Sequence, residues 1–289
     1  MTDINKKVMT LSIVLGDTCN ADCKFCISKL TFKCSPKKCD QWWEKLDKAC
    51  RVASIGGADT VIITSKREPT SADPEELMSV IKICDKYFPI IELQTNGIRL
   101  TDKAFVDELA CSGLTTLSIS GVSHLQHINQ EMMAEAYPNL YEVVPYCNEK
   151  GLMTRFCVIM TNETCYNATS LIDILSGAKT IGFHQVTLRI MGTPDVSLIQ
   201  ETAKADKVLK WVTEHQLSTD HLHKIKLFLS QYPLLREFPW GSRVHSVEGT
   251  SVCLADCLSE EVGNDYRYII YFPDGHLRYR WEVPEALIF

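Results

Sequence analysis

The chain is organised around the stretch Leu11-Ser-Ile-Val-Leu-Gly-Asp-Thr-Cys19-Asn-Ala-Asp-Cys23-Lys-Phe-Cys26. Residues 11–15 form a short apolar run that predicts a buried strand ending at Gly16. The three cysteines therefore lie on the loop that leaves the carboxyl end of this strand, where α/β proteins collect their ligands. Spacings of three and two intervening residues let this loop surround one metal centre with three thiolates. Such soft ligands select iron–sulfur clusters or zinc.

Three cysteines are one fewer than the four ligands that close a structural zinc site, whereas a reactive centre keeps one coordination position open. The loop has the form C-x3-C-x-Φ-C, where the aromatic residue before the last cysteine is Phe25. This loop, directly after a first strand, resembles the hallmark of the radical S-adenosylmethionine (radical SAM) superfamily. The resemblance implies that Cys19, Cys23 and Cys26 hold a [4Fe–4S] cluster whose fourth iron binds S-adenosylmethionine, with Phe25 in the cofactor-binding set.

The bulk properties are those of an ordinary globular protein. The chain has 289 residues, 45% hydrophobic content and a net charge of −6, which suits one large α/β domain or one domain with an appendage. This charge does not favour broad nucleic-acid binding. No apolar run of about 18 residues and no signal-peptide pattern is present, so we expect a cytoplasmic protein without a membrane segment. The 13 cysteines are then better interpreted as ligands, reactive thiols and core residues than as disulfides.

Predicted strands and helices alternate along most of the chain, and such alternation predicts a parallel sheet with right-handed crossovers. The predicted strands are 11–15, 61–64, 90–95, 116–120, 155–160 and 185–190. The predicted helices are 41–55, 73–88, 102–111, 123–150 with an interruption near Pro138, 168–175 and 203–215. Six such units match the (βα)6 partial TIM barrel of the radical SAM type. We expect this core over residues 1–219 and a C-terminal extension over 220–289, with a β-hairpin at Asp274-Gly275.

Two further strand ends resemble the family pattern. Glu68 and Pro69 follow the second strand, where the family carries a Gly-Gly-Glu-Pro segment that meets the methionine amino group. Lys66 and Arg67 replace the small residues of that segment, and side chains larger than glycine limit how closely the backbone approaches a ligand. Asn96 stands in a Thr-Asn-Gly sequence like that of molybdenum-cofactor cyclisation enzymes.

The remaining cofactor candidates lie on the fourth to sixth strands. Ser118 and Ser120 end the fourth strand, where family members present a serine to the cofactor's carboxylate or ribose. Arg155 is a candidate counter-ion to that carboxylate because arginine offers bidentate geometry, although it could equally begin a strand at the surface. Arg189 is a charge within an apolar strand and needs a partner if buried, which favours a position facing the barrel interior.

A second cysteine pair, Cys253 and Cys257, leaves three interpretations open. The pair could hold an auxiliary cluster, together with Cys34 and Cys39. One thiol could instead give a hydrogen atom to a substrate radical, as in radical SAM epimerases, which would make the pair catalytic. The cysteines could also be structural.

The resemblance implies an enzyme that cleaves S-adenosylmethionine reductively to a 5′-deoxyadenosyl radical. That radical would abstract hydrogen from a small polar metabolite such as a sugar, nucleoside or amino acid. An electron donor such as flavodoxin or ferredoxin is the implied partner. One alternative is a radical SAM enzyme that modifies a peptide or protein, by epimerisation or cross-linking. An alternative of another class is a non-catalytic structural or binding protein whose cysteines hold zinc.

Overall fold

One eleven-stranded sheet runs through the computed structural model, which describes residues 7–16, 18–31, 38–194, 196–255, 265–281 and 283–289. Its centre consists of six parallel strands that neighbour one another in chain order. These strands are β1 (Thr10–Val14), β2 (Thr60–Thr64), β3 (Ile90–Thr95), β4 (Thr116–Gly121), β5 (Met153–Met160) and β6 (Gln185–Ile190). The predicted α/β alternation and its parallel sheet are confirmed.

Helices fill the connections between these strands. They are α1 (Ser28–Thr31), α2 (Trp42–Ile55), α3 (Pro74–Asp85), α4 (Lys103–Cys111), α5 (Gln126–Met132), α6 (Leu140–Glu149), α7 (Ala168–Ile181) and α8 (Ala203–His215). Helix starts follow local capping chemistry. The Asp73 carboxylate accepts the backbone N–H groups of Glu75 at 2.9 Å and Glu76 at 3.3 Å. Asp102 caps α4 in the same way.

The two faces of the sheet have different partners because side chains alternate along a strand. Apolar residues at alternate positions, such as Leu11 and Ile13 of β1, are fully buried in one continuous core with the helices. The other face carries Thr64, Gln94 and Arg189 toward an open cavity. The sheet therefore separates an apolar helix layer from a polar interior.

Residues after α8 extend the sheet at both edges. Helix α9 (Thr219–Ser230) is followed by β7 (Leu234–Glu237), β8 (Arg243–Val247) and β9 (Thr250–Ala255), and β9 pairs in parallel with β6. At the other edge, β10 (Ile269–Tyr271) pairs in parallel with β1 and forms the predicted hairpin with β11 (Leu277–Arg278). Strands β7 to β9 were not predicted. The division at residue 219 stays a prediction.

Helix α7 is longer than predicted and continues through Gly177 to Ile181. A Cβ at residue 177 would lie 2.3 Å from the His124 ring, so this glycine serves close packing and does not end the helix. The helix ends instead at Gly182, which adopts a left-handed conformation with φ +100°.

Gly177→Ala is expected to lower the free energy of unfolding by about 1–2 kcal/mol, because the clash with buried His124 outweighs the higher helix propensity of alanine. Urea titration measures this change. Gly192→Ala is the control, since a Cβ there meets nothing within 4 Å. Equal stabilities of the two variants would contradict the packing role of Gly177.

Within the described ranges, no helix is both long and apolar enough to cross a membrane.

Candidate active site

A cavity of about 1260 Å³ opens where the central strands end. Its walls are the cysteine loop after β1, the loop after β2 that contains Glu68, the ends of β3 and β4, and the segment between β6 and α8. A typical single-ligand pocket has about 300–1000 Å³. The cavity therefore has room for more than one bound group.

The cysteine loop leaves β1 through a backbone turn that requires glycine. Gly16 has φ +83°, and a Cβ there would lie 2.9 Å from the Glu68 carbonyl oxygen. The Glu68 N–H donates to the Thr18 carbonyl at 3.1 Å, and the Ser65 hydroxyl donates to the Gly16 carbonyl at 3.0 Å. The first two loops of the sheet are thus joined directly.

All three cysteines of the first loop line the cavity, as the sequence predicts. Cys19 is exposed, whereas Cys23 and Cys26 are half-buried. The loop is held from its other side by helix α5, because the N–H of Asp22 donates to the Met133 carbonyl at 2.9 Å and the N–H of Lys24 donates to the Met132 carbonyl at 3.0 Å.

Two of the three thiols have a raised pKa. Burial raises the pKa of Cys23 to about 12, and repulsion from Cys26 and Cys19 acts in the same direction. Burial also raises the pKa of Cys19. Metal binding would deprotonate these thiols and remove this mutual repulsion. No group of three His, Cys, Asp or Glu side chains in the described part of the chain is arranged around a single ion. A cubane cluster differs in this respect, because each thiolate binds a separate iron.

Glu68 forms the centre of a buried hydrogen-bond network. Its Oε1 accepts the Thr70 N–H at 3.1 Å, the Thr70 hydroxyl at 2.7 Å and the Thr95 hydroxyl at 2.7 Å. Among the described residues, its Oε2 accepts one hydrogen bond, from the Asn96 N–H at 2.8 Å. Burial raises the pKa of the Glu68 carboxyl, while the hydrogen bonds from Thr95, Asn96 and Thr70 oppose that rise. Glu68 therefore joins the ends of β2 and β3, and its remaining acceptor capacity is mainly at Oε2.

Asn96 connects the end of β3 to the cysteine loop. Its Nδ2 donates to Asn20 Oδ1 at 2.7 Å, and its Oδ1 accepts the Ile98 N–H at 3.0 Å. Asn20 lies next to Cys19 and is a cavity residue that the sequence analysis missed. An asparagine within a metal-binding loop gives no distinctive signal of this contact.

Three more predicted cofactor residues reach the cavity: Phe25, Pro69 and Ser120. The Phe25 ring packs against Trp211 of α8 with centroids 6.2 Å apart, which connects the cysteine loop to the far wall. The Ser120 carbonyl accepts the Tyr137 hydroxyl at 2.8 Å.

Arg155 and Ser118 are not brought to the cavity wall. Arg155 forms an ion pair with Glu92, and its Nε donates to Gln185 Oε1 at 2.9 Å. Ser118 is buried and lies beside Arg155 in the strand register, two residues before Ser120. Arg155 thus has structural partners within the sheet, so the structure supports neither its predicted contact with the cofactor nor its alternative surface position.

The sixth strand contributes Arg189, which does line the cavity. Gln200, in the segment after β6, lines the same wall and was not predicted, since a glutamine outside any motif carries no signal. The Nε of Arg189 and the Nε2 of Gln200 are both buried without an acceptor among the described residues.

The second cysteine pair is only partly described. Cys253 lies in β9, is half-buried and pairs in register with Thr187 of β6, but it is not part of the cavity wall. Cys257 and Cys34 lie outside the described residues. Cys39 is half-buried before α2 and does not line the cavity.

A family model described as the Radical SAM superfamily matches residues 13–165, more than half of the chain. A GTP 3′,8-cyclase from Aquifex aeolicus (strain VF5) is 23% identical over 214 residues, which cover 71% of this chain and 64% of the cyclase. This likeness agrees with the cyclisation-enzyme resemblance of the core.

Solved structures share the fold. SuiB from Streptococcus suis bound to S-adenosylmethionine matches with a TM-score of 0.61 and 15% identity, over 98% of this chain and 61% of SuiB. A structure of anSMEcpe with bound AdoMet matches with a TM-score of 0.57 and 12% identity, over 97% of this chain and 76% of anSMEcpe. The chain spans 64% of the cyclase and 61% of SuiB, less than two thirds of either protein.

Proposed function

The chain belongs to the radical SAM superfamily, and from this premise we propose that it binds a [4Fe–4S] cluster and S-adenosylmethionine in the cavity and removes hydrogen from a small polar metabolite. The observation that carries the proposal is the position of Cys19, Cys23 and Cys26 on one loop that lines a large cavity. When bound, the cluster and its cofactor supply the radical chemistry, while the protein supplies binding and orientation.

The chain's own residues divide this work. Cys19, Cys23 and Cys26 are the proposed cluster ligands. Glu68 holds the ends of β2 and β3 together through four hydrogen bonds. Its Oε2 can accept one more hydrogen bond, and our candidate donor is the amino group of the cofactor. Asn96 fixes the same edge to the cysteine loop through Asn20. Pro69, Phe25 and Ser120 complete the cofactor wall in this proposal.

We propose a small substrate because the loops that form the cavity wall are held to one another. These loops are joined by hydrogen bonds, including the link from Gln200 N–H to the Leu30 carbonyl at 2.8 Å. Peptide or protein modification is the second candidate of the same class. The structure of SuiB bound to its precursor peptide SuiA has the same fold, but its 14% identity shows no shared substrate. The family match favours an enzyme over the zinc-binding structural protein.

The remaining parts of the proposal concern electron supply and the second cysteine pair. A reduced flavodoxin or ferredoxin is the proposed donor to the cluster. Cys253, with Cys257, is kept as the proposed source of a hydrogen atom for a substrate radical. Cys253 lies in β9 beside Thr187 but does not line the cavity, so this role requires the substrate to reach beyond the described wall.

Anaerobic reconstitution tests the proposal. We expect a brown protein with about four iron and four sulfide per chain, and formation of 5′-deoxyadenosine from S-adenosylmethionine under dithionite. A colourless protein with one bound zinc, or a cluster protein that never forms 5′-deoxyadenosine, would contradict the proposed function.

A further inference from the structure

Two hydrogen-bond donors on the β6 wall of the cavity lack acceptors. Arg189 Nε and Gln200 Nε2 are buried, and neither has a hydrogen-bond partner in the part of the chain that the structure describes. Buried donors are rarely left unsatisfied, because each has lost its water without replacement. Both residues line the cavity, so a ligand there can supply the missing acceptors.

The backbones that carry both donors are anchored relative to the cysteine loop. Arg189 lies between Ile159 of β5 and Ala255 of β9 in the strand register, which directs its side chain to the interior face. The Gln200 N–H is bonded to the carbonyl of Leu30, a fully buried residue four positions after Cys26. The two donors are therefore built into the fold.

The charge of the cavity wall favours an anion. Before any cofactor binds, the described wall contains five basic and three acidic side chains, although the whole chain has a net charge of −6. The basic residues are Lys29, Lys66, Arg67, Arg189 and Lys204, and the acidic residues are Asp22, Glu68 and Glu135.

Two of those acids are already engaged with the protein, and one of them also engages two of the basic residues. Asp22 pairs with Lys29 at 2.7 Å and with Lys204 at 3.7 Å. Glu68 accepts four hydrogen bonds from its own surroundings. The net charge of the cavity wall is positive, opposite in sign to that of the whole chain, and such a wall attracts negatively charged ligands.

We propose that Arg189 and Gln200 form a recognition site for an acidic group of the substrate, a carboxylate or a phosphate. This inference rests on the proposed function and narrows its substrate to an acidic metabolite. The guanidinium offers parallel N–H donors to two oxygens of such a group, and the Gln200 amide offers a further donor. Neither donor then remains unsatisfied.

Calorimetry on the reconstituted enzyme with S-adenosylmethionine tests this inference, with malonate and inorganic phosphate as probes at constant ionic strength. We expect saturable binding of at least one anion. Its Kd should rise at least about tenfold in Arg189→Gln and in Gln200→Leu, the size expected for loss of a charge-assisted hydrogen bond. Stronger binding of malonate indicates a carboxylate substrate, and stronger binding of phosphate a phosphorylated one. The matched control is Arg243→Gln, which removes an exposed arginine paired with Glu237 and should leave the Kd unchanged.

Three outcomes would overturn the inference: no saturable anion binding in the parent enzyme, anion binding equal in the parent and both variants, or a tenfold weaker affinity for S-adenosylmethionine in Arg189→Gln with anion binding intact. The last outcome would return Arg189 to its predicted cofactor-binding role. The same titrations are repeated on the protein without its cluster, where anion binding tests this inference alone. Failure of the proposed function is recognised separately, by missing iron and missing 5′-deoxyadenosine.

Discussion

Replacing Cys19, Cys23 and Cys26 together with alanine is expected to reduce bound iron from about four atoms per chain to near zero. Formation of 5′-deoxyadenosine under dithionite should fall below detection. All three side chains line the same cavity, and no other cysteine of the described ranges lies in its wall, so the described residues offer no substitute thiolate there. Iron analysis and chromatography of the cleavage products measure the two losses.

The fold of this triple variant should persist. Cys19 is exposed and the other two cysteines are half-buried, so their removal from the cluster-free protein should change the free energy of unfolding by only about 1 kcal/mol. Cys111→Ala is the matched control, because Cys111 is exposed on α4 away from the cavity and should not affect iron content. Production of 5′-deoxyadenosine by the triple variant would refute the assignment of the cluster ligands.

Glu68→Ala has the second large expected effect, and it acts on two properties. Removing the carboxylate deprives the backbone N–H groups of Thr70 and Asn96 and the hydroxyls of Thr70 and Thr95 of their acceptor. We expect the free energy of unfolding to fall by about 2–4 kcal/mol, since cavity water can satisfy part of this loss. We also expect affinity for S-adenosylmethionine to fall by about 1.5–3 kcal/mol, or roughly ten- to hundredfold, through loss of a charge-assisted hydrogen bond.

Two further variants separate these effects of Glu68. Glu68→Gln keeps one acceptor oxygen and the shape of the side chain, so it should retain more stability than Glu68→Ala while still weakening the cofactor. Glu135→Ala removes an exposed carboxylate from the same cavity wall and should alter neither property. An unchanged dissociation constant in both Glu68 variants would limit Glu68 to joining β2 and β3.

The parts of the fold that follow from local chemistry could be predicted from the sequence. Each central strand has apolar residues at alternate positions, and α3 and α4 begin at aspartates that cap them. The predicted α7 ends at residue 175, six residues too early, and a sequence does not distinguish a glycine that ends a helix from one such as Gly177 that admits His124. Strands β7 to β9 were missed although β7 pairs with β8 and β8 with β9 as neighbours in the chain. The pairing of β9 with β6, which joins this unit to the central sheet, connects residues far apart in sequence.

The residues of the candidate site also differ in how far the sequence predicts them. The cysteines and Glu68 belong to motifs whose spacing is local, and the structure brings them to one cavity. Arg155 and Arg189 are both arginines on inward-facing positions of neighbouring strands, yet only Arg189 reaches the cavity. The two arginines differ in their depth in the sheet. Arg155 is held within the sheet by Glu92, which lies 63 positions earlier in the chain. A sequence pattern does not reveal such a partner.

The pairing of β1 with β10 has a consequence for the order in which the protein is made. The two strands meet through residues about as distant as the chain allows, as in the bond from Lys7 N–H to Asp265, whose separation is 258 positions. During synthesis the strand that precedes the cysteine loop emerges early, but its outer neighbour emerges only after almost every other element. An unpaired edge promotes association with other chains, and distant contacts slow folding. Until β10 is made, the sheet therefore keeps an open edge at β1, the strand that precedes the cysteine loop.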